Sequence, residues 1–277
     1  MDRVGLGWRE ELSMAMLERL GELDVIEVIA EDWLHAGPRE SAALADLAAS
    51  CPLLLHGVAL GLASCEAVEA RRLDRLARLV ERVRPAAWSE HLAFVRAGGV
   101  EIGHLAAPPR SAASVEGTFA NIARARRVVG SLPCLENIAT LIDPPGSTLD
   151  EAAWTRAILC GAGAPMLLDL HNLYANALNF GRAPFALLRS MPLERVEMVH
   201  LSGGRWLGPR LLDDHLHDPP PEVYALLEDL GRLAPRPLSV IIERDGNYPD
   251  FEHLMAQVRL AKAALARGRA AADRMAA

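Results

Sequence analysis

The chain has 277 residues, and 29 Lys and Arg against 36 Asp and Glu leave a formal charge of −7. A hydrophobic share of 51% with 23% charged residues excludes disorder as the main state. The acidic balance argues against a nucleic-acid partner, which wants a basic stripe, and 5% aromatic residues leave little for base stacking or a carbohydrate platform. Cys51, Cys65, Cys134 and Cys160 show no C-x-x-C spacing and read as free, buried thiols rather than a disulfide framework. The first residues lack the apolar core of a signal peptide. The uncharged run 157–168 is interrupted by Gly161, Gly163 and Pro165 and is too short to cross a bilayer. A cytoplasmic protein with no membrane partner is expected.

In chain order, short β-rich runs at 3–7, 25–29, 53–56, 86–90, 133–136, 166–169, 196–201 and 239–243 alternate with helical patterns. The helices are expected at 10–20, 39–49, 66–83, 113–129, 150–160, 184–190, 221–233 and 250–267. The pattern at 66–83 is the clearest: Val68, Leu73, Leu76, Leu79, Val80 and Val83 share one face, with Arg71, Arg72, Arg75, Arg78 and Arg82 elsewhere. Ser114 and Asp150 are candidate N-caps. Eight strands alternating with eight helices predict a parallel sheet, and eight is the number that closes a TIM (β/α)8 barrel. A doubly wound sheet competes, but Gly5-Leu6-Gly7-Trp8 does not complete the G-x-G-x-x-G phosphate turn. One barrel domain over 1–267 is expected, with a frayed tail at 268–277. The pieces 143–147, 203–209 and 219–221 read as long βα loops.

Most proposed strands finish on a residue that can hold a metal or move a proton. The third ends at His56, the fourth at Glu90, the fifth at Glu136, the sixth at Asp169, the seventh at His200 and the eighth at Glu243. In a barrel these ends converge on the rim where active sites are built. Burying an uncompensated carboxylate costs on the order of several kcal/mol, and Glu90, Glu136, Asp169 and Glu243 have few nearby Lys or Arg to answer them. A cation is the economical solution, and mixed His and carboxylate donors suit iron, manganese or zinc. After the seventh strand, Asp213-Asp214-His215-Leu216-His217 would put Asp213, His215 and His217 on one side if extended. His91 and His171 point the other way in regular strands, and His35, His104 and His253 read as peripheral. No G-x-S-x-G or P-loop is present.

At these residues the chain resembles the multinuclear non-haem iron-dependent oxidative enzymes, the family of the enzyme that installs the oxazolone and thioamide groups of methanobactin. The resemblance covers essentially the whole chain. Its anchors are Gly5-Leu6-Gly7, Ile26-Glu27-Val28-Ile29-Ala30-Glu31, Leu55-His56-Gly57-Val58, Ser89-Glu90-His91-Leu92, Leu135-Glu136-Asn137 and Leu168-Asp169-Leu170-His171-Asn172-Leu173-Tyr174. They continue in Val199-His200-Leu201-Ser202-Gly203, Asp213-Asp214-His215-Leu216-His217 and Glu243-Arg244-Asp245-Gly246-Asn247. The resemblance implies a xylose-isomerase-like TIM barrel holding two or three iron ions, mixed Fe(II) and Fe(III), with O2 as co-substrate. By motif match the ligands would be His56, Glu90, Glu136, Asp169, His200, Asp213, His215 and Glu243, joined or supported by Asn137 and Asn172. Glu136, Asp169 and His200 would carry the catalysis, Glu136 as a bridging carboxylate. The implied substrate is a ribosomally synthesised precursor peptide, modified at Cys or another specific residue, with a small leader-binding partner protein in many members. Asp32, the stretch Leu105-Ala106-Ala107-Pro108 and Leu216 depart from the family pattern without removing a matched ligand.

Two competing readings use the same residues. One is a zinc or manganese isomerase, or an endonuclease-IV-like hydrolase. The charge of −7 disfavours DNA, and a single lysine, Lys262, far out on the last helix, disfavours Lys-dependent sugar chemistry. The other is a non-catalytic, metal-dependent scaffold that binds a peptide.

Overall fold

A computed structural model describes residues 1–276. Eight parallel strands close a barrel: β1 (Arg3–Gly7), β2 (Ile26–Ile29), β3 (Leu53–Gly57), β4 (Ala87–His91), β5 (Cys134–Glu136), β6 (Met166–Asp169), β7 (Val196–Leu201) and β8 (Ser239–Ile242). Closure comes from β1 pairing with β8, Arg3 beside Ser239 through Leu6 beside Ile242. The strands are apolar on both faces, as expected where helices cover the outside and side chains fill the inside.

The pleat sorts each strand into two sets. Val25, Leu54, Cys134, Leu167, Met198 and Ile241 form a small cluster inside the barrel. Val4, Leu6, Leu55, Leu135, Leu168, Val199, Val240 and Ile242 belong to the larger cluster between sheet and helices. The helices supply its other half: in Ala70–Val83, Leu73, Leu76, Leu79 and Val83 are buried at helical spacing, and the arginine rows face outward. Helix Pro221–Leu233 packs with the last helix, Phe251–Ala276, beside it.

Several local expectations change. The run 10–20 splits into short turns (Glu10–Leu12, Ser13–Glu18, Leu20–Glu22), because Arg19 leaves helical geometry at φ −118° and ψ 22°. The cap of helix Ala112–Val129 is Ser111, which exchanges hydrogen bonds with Ser114, and Asp150 caps Glu151–Ala162 by accepting from the Ala153 N–H at 2.8 Å. The final helix continues past 267 to Ala276, so 268–276 is helical rather than frayed in this structure. There Arg269 donates to both Asp2 oxygens at 2.9 Å and to the Gly231 carbonyl at 3.0 Å. Ala277, also placed in that tail, lies outside the described residues. Two hairpins rise from the rim, Phe94–Ala97 with Val100–Ala106 and Gly204–Leu207 with Arg210–Asp213. The latter occupies the stretch read as a loop at 203–209. Of the four free thiols, Cys51 and Cys134 are buried and Cys65 and Cys160 exposed. Among the described residues no helix is long and apolar enough to cross a membrane.

Candidate metal centre

The inner apolar layer positions the site. Two residues beyond Val25, Leu54, Cys134, Leu167, Met198 and Ile241 stand Glu27, His56, Glu136, Asp169, His200 and Glu243. A period of two returns the side chain to the same face, so each of these six points into the barrel one layer above the apolar floor. All six are at least 96% buried. Their donor atoms gather into overlapping groups: Glu27, His56 and His200; His56, His91 and Glu136; Glu136, Asp169 and His200; and Asp169, His215 and Glu243. Within each group the atoms lie within 4.8 Å of one another.

Glu136 sits at the centre. Its Oε2 lies 3.5 Å from His56 Nε2 and 3.4 Å from His91 Nε2, and its Oε1 lies 3.5 Å from His200 Nδ1. His200 Nδ1 is also 3.0 Å from Glu243 Oε2, while its Nε2 meets Glu27 at 3.0 Å. His56 is held by Ser89 Oγ on Nδ1 at 2.8 Å, which leaves Nε2 toward Glu136. Asp169 also caps a helix. Its Oδ1 accepts from the Asn172 N–H at 2.6 Å and starts helix Leu170–Asn179.

The electrostatics are a contest between burial and close neighbours. Burial disfavours the charged form and wins at His56, whose imidazole titrates below its ordinary value despite Glu136. At His91 burial is outweighed by Glu136 and Glu90, which raise the imidazole to about 9. His200 is raised well above its ordinary value against burial by Glu243, Glu27 and Glu136, and His215 likewise by Asp213 and Glu243. Burial, then Asp213 and Glu136, push Asp169 far up, whereas His200 and His215 overcome burial to hold Glu243 well below the carboxylate range. Buried polar atoms without a hydrogen-bond partner converge here: Glu136 Oε2, Asp169 Oδ2, Asn172 Oδ1, His91 Nδ1, His200 Nδ1 and His215 Nε2. Buried polar atoms are almost always satisfied, so this concentration fits bound cations, and the mixed N and O donors fit iron, manganese or zinc.

Above the cluster is a cavity of about 290 Å³. Apolar Ile29, Val58, Leu105, Ile138 and Ala139 line it together with His56, His91, Glu136, Asn172, Asp213, His215 and Glu243. Arg9 and Asp245 complete the lining.

Of the residues singled out from sequence, His56, Glu136, Asp169, His200, His215 and Glu243 fall in the donor groups. Asp213 stands beside them, Oδ2 2.9 Å from His215 Nε2, with Oδ1 bound to His171 Nδ1 at 2.7 Å and accepting from Ser202 Oγ at 3.2 Å. Asn172 lines the cavity with its free Oδ1. Asn137 is spent on the backbone, donating to the Asp169 carbonyl and accepting from the Asp169 N–H, each at 3.0 Å. Glu90 lies outside the groups. In β4 it shares the outward parity of Trp88, while Ser89 and His91 face in, the reverse of the sequence expectation. Its Oε2 accepts from the Leu60 N–H at 3.0 Å and its Oε1 from the His91 N–H at 3.0 Å. His217 is exposed and paired with Asp214 at 2.9 Å, because the chain turns at His215 instead of remaining extended. Glu27 and His91 join the groups although the strand-end pattern does not single them out. The signal that would find both is parity counted from the apolar floor rather than position at the strand end.

Comparison with known proteins agrees with this architecture. A UPF0276 protein of Caulobacter vibrioides is 32% identical over 270 residues, covering 97% of this chain and 96% of its own. One from Bordetella pertussis is 32% identical over 278 residues, covering 98% and 95%. A third, from Streptomyces avermitilis, is 33% identical over 89% of this chain, which spans only 52% of that longer relative. Among solved structures, an L-ribulose 3-epimerase superposes with a TM-score of 0.63 at 18% identity, over 100% of this chain and 99% of that one. The IolI protein with a bound zinc atom superposes with a TM-score of 0.61 at 12% identity, covering 96% and 97%. Similarity at that level shows the fold, a xylose-isomerase-like TIM barrel. The model of the RiPP precursor modification enzymes MbnB/TglH/ChrH matches residues 3–266, and the chain belongs to that family.

Proposed function

We propose that this chain is a multinuclear non-haem iron enzyme that uses O2 to modify a ribosomally synthesised precursor peptide at Cys or another specific residue. The carrying observation is the chain of donor groups that share members, opening on a cavity with a mixed apolar and polar lining. Membership in a family of precursor-peptide modification enzymes supports the peptide substrate. A small leader-binding partner protein and a cytoplasmic setting belong to the same proposal.

His56, His91 and Glu136 would hold one ion, Glu136, Asp169 and His200 a second, and Asp169, His215 and Glu243 a third if present, with Asp213 and Asn172 in support. Glu136, Asp169 and His200 are the residues closest to the proposed chemistry. Bound iron would supply one-electron chemistry with dioxygen; the protein's part is placement and exclusion of water. Glu136 Oε2 faces His56 and His91 and its Oε1 faces His200, so Glu136 would be the carboxylate shared by two ions. Asn137 fixes the Asp169 backbone and Ser89 fixes the His56 ring, so neither donor has to be ordered when the peptide arrives. Ile29, Val58, Leu105 and Ile138 give the cavity apolar lining, and its volume of about 290 Å³ suits a single side chain rather than a folded partner.

The test pairs iron-loaded enzyme with a synthetic Cys-bearing candidate precursor, with its partner protein where one is encoded beside it, and reads the peptide by mass spectrometry. A mass change that requires O2 and iron is expected. The same change under strict anaerobiosis, or with zinc in place of iron, would overturn the oxidative reading.

A further inference from the structure

The metal-centre reading leaves the stretch Gly5-Leu6-Gly7-Trp8-Arg9 unused. A Cβ at Gly5 would lie 1.6 Å from the Val25 carbonyl oxygen, so β1 and β2 come closer than any side chain allows. A Cβ at Gly7 would meet Arg9 Nη1 at 3.1 Å, because Arg9 folds back over the end of β1. Its Nη1 donates to the Trp8 carbonyl at 2.7 Å. Nε and Nη2 both donate to Asp245 Oδ1, at 2.8 and 2.5 Å, across the seam where β1 meets β8. Nη2 also lies 3.8 Å from Glu243.

Asp245 divides its two oxygens. Oδ1 takes Arg9, and Oδ2 lies 3.2 Å from His215 Nδ1. The Asp245 N–H donates to the His215 carbonyl at 2.9 Å. His215 has φ +54°, a left-handed conformation that a residue with a large side chain keeps only when its surroundings hold it. Nε2 carries no hydrogen bond, with Asp213 Oδ2 2.9 Å away, while Nδ1 faces Asp245 Oδ2 and lies 3.5 Å from Glu243 Oε2. A carboxylate on one imidazole nitrogen sets the tautomer and aims the other lone pair at a metal.

We infer that Arg9 is a positioning residue: through Asp245 it holds His215 in the backbone conformation and ring orientation that make it a donor alongside Asp169 and Glu243. The inference rests on the metal-centre reading and extends it to a residue that is a member of none of the donor groups. It also gives the N-terminal motif a purpose: Gly5 lets β1 sit against β2, and Gly7 gives the returning guanidinium room. Asp245 is 41% exposed at its side chain and Arg9 11%, so water screens the pair from the Asp245 side and limits what it adds to stability. Loss of Arg9 should therefore be felt at one metal position more than in the fold.

The test titrates Co(II), followed by its visible absorption, into the metal-free wild type, Arg9→Gln, Arg9→Lys, Asp245→Asn and His215→Ala. One equivalent should bind about 10–100-fold more weakly in the Arg9 and Asp245 variants, the same equivalent lost in His215→Ala. Arg9→Lys keeps the charge but not the fork and should stay impaired. Arg9→Gln added to His215→Ala should bring no further loss, and thermal midpoints of the metal-free Arg9 variants should stay near wild type. Unchanged binding in Arg9→Gln and Asp245→Asn, equal weakening of every equivalent, or additive loss in the double variant would overturn the inference. Wild type that takes up no cobalt would remove the metal-centre reading and this inference together, a pattern distinct from the others.

Discussion

Glu136 is one carboxylate asked to serve both sides of a buried cluster, and its neighbours show how a barrel tolerates that. Among the buried donors themselves the only positive charges are protonated imidazoles, and His91, raised to about 9 against burial by Glu136 and Glu90, is protonated at neutral pH. A metal must displace such protons, so binding should release them and tighten as pH rises toward about 9. Calorimetry of metal binding in buffers of different ionisation enthalpy checks this, and the absence of net proton release would contradict it. The sign for folding is the opposite. A raised imidazole stabilises the metal-free chain fully below its ordinary value of 6.5, and that contribution is lost as pH rises through about 9. The pair Glu90 and His91 gives a second outcome at this scale. His91→Ala should cost metal, because His91 stands in a donor group, whereas Glu90→Gln should leave metal content near wild type, because its oxygens serve the Leu60 and His91 backbone. Metal analysis of the two variants side by side decides it, and the reverse order of losses would restore Glu90 to the cluster.

The elements follow local rules with few exceptions, and the exceptions mark where the sequence is ambiguous. Helix Ala70–Val83 ends on Arg84 at φ +51°, a left-handed cap that glycine adopts without penalty, as Gly130 and Gly163 do after their helices. Arg84 is exposed, so Arg84→Gly should stabilise the chain by about 1 kcal/mol, read as a higher urea midpoint at unchanged slope. The alternation of β and α is legible in the residues, since every barrel strand overlaps its expected position. Helix Leu170–Asn179 is not: Leu170-His171-Asn172-Leu173 continues the apolar run of β6, and only the Asp169 side chain capping Asn172 marks the change of period. The same ambiguity misplaces His171, whose ring reaches Asp213 from a helix rather than pointing away from a strand. His217 is misplaced for a related reason, since alternation holds only until the chain turns at His215.

At the scale of the whole molecule the barrel turns six separate sequence positions into one floor and one layer of donors. That convergence is readable because strand ends share a rim in this fold. Which of two adjacent residues faces inward is not, because an offset of one residue reverses every side chain. Glu27 and His91 escape a reading of strand ends on that account. Arg9 escapes any local reading, since its partner Asp245 lies 236 residues away and meets it only when β1 closes on β8. The closed barrel also makes the donor groups interdependent, because Glu136 and Asp169 each belong to two of them. The most direct measurement is therefore the metal content per chain of protein purified anaerobically from iron-supplemented cells, for wild type and Glu136→Ala. Two or three irons in wild type, with at least two lost together in the variant, is the expected result. Stoichiometric zinc or manganese with little iron would contradict an oxidative iron centre.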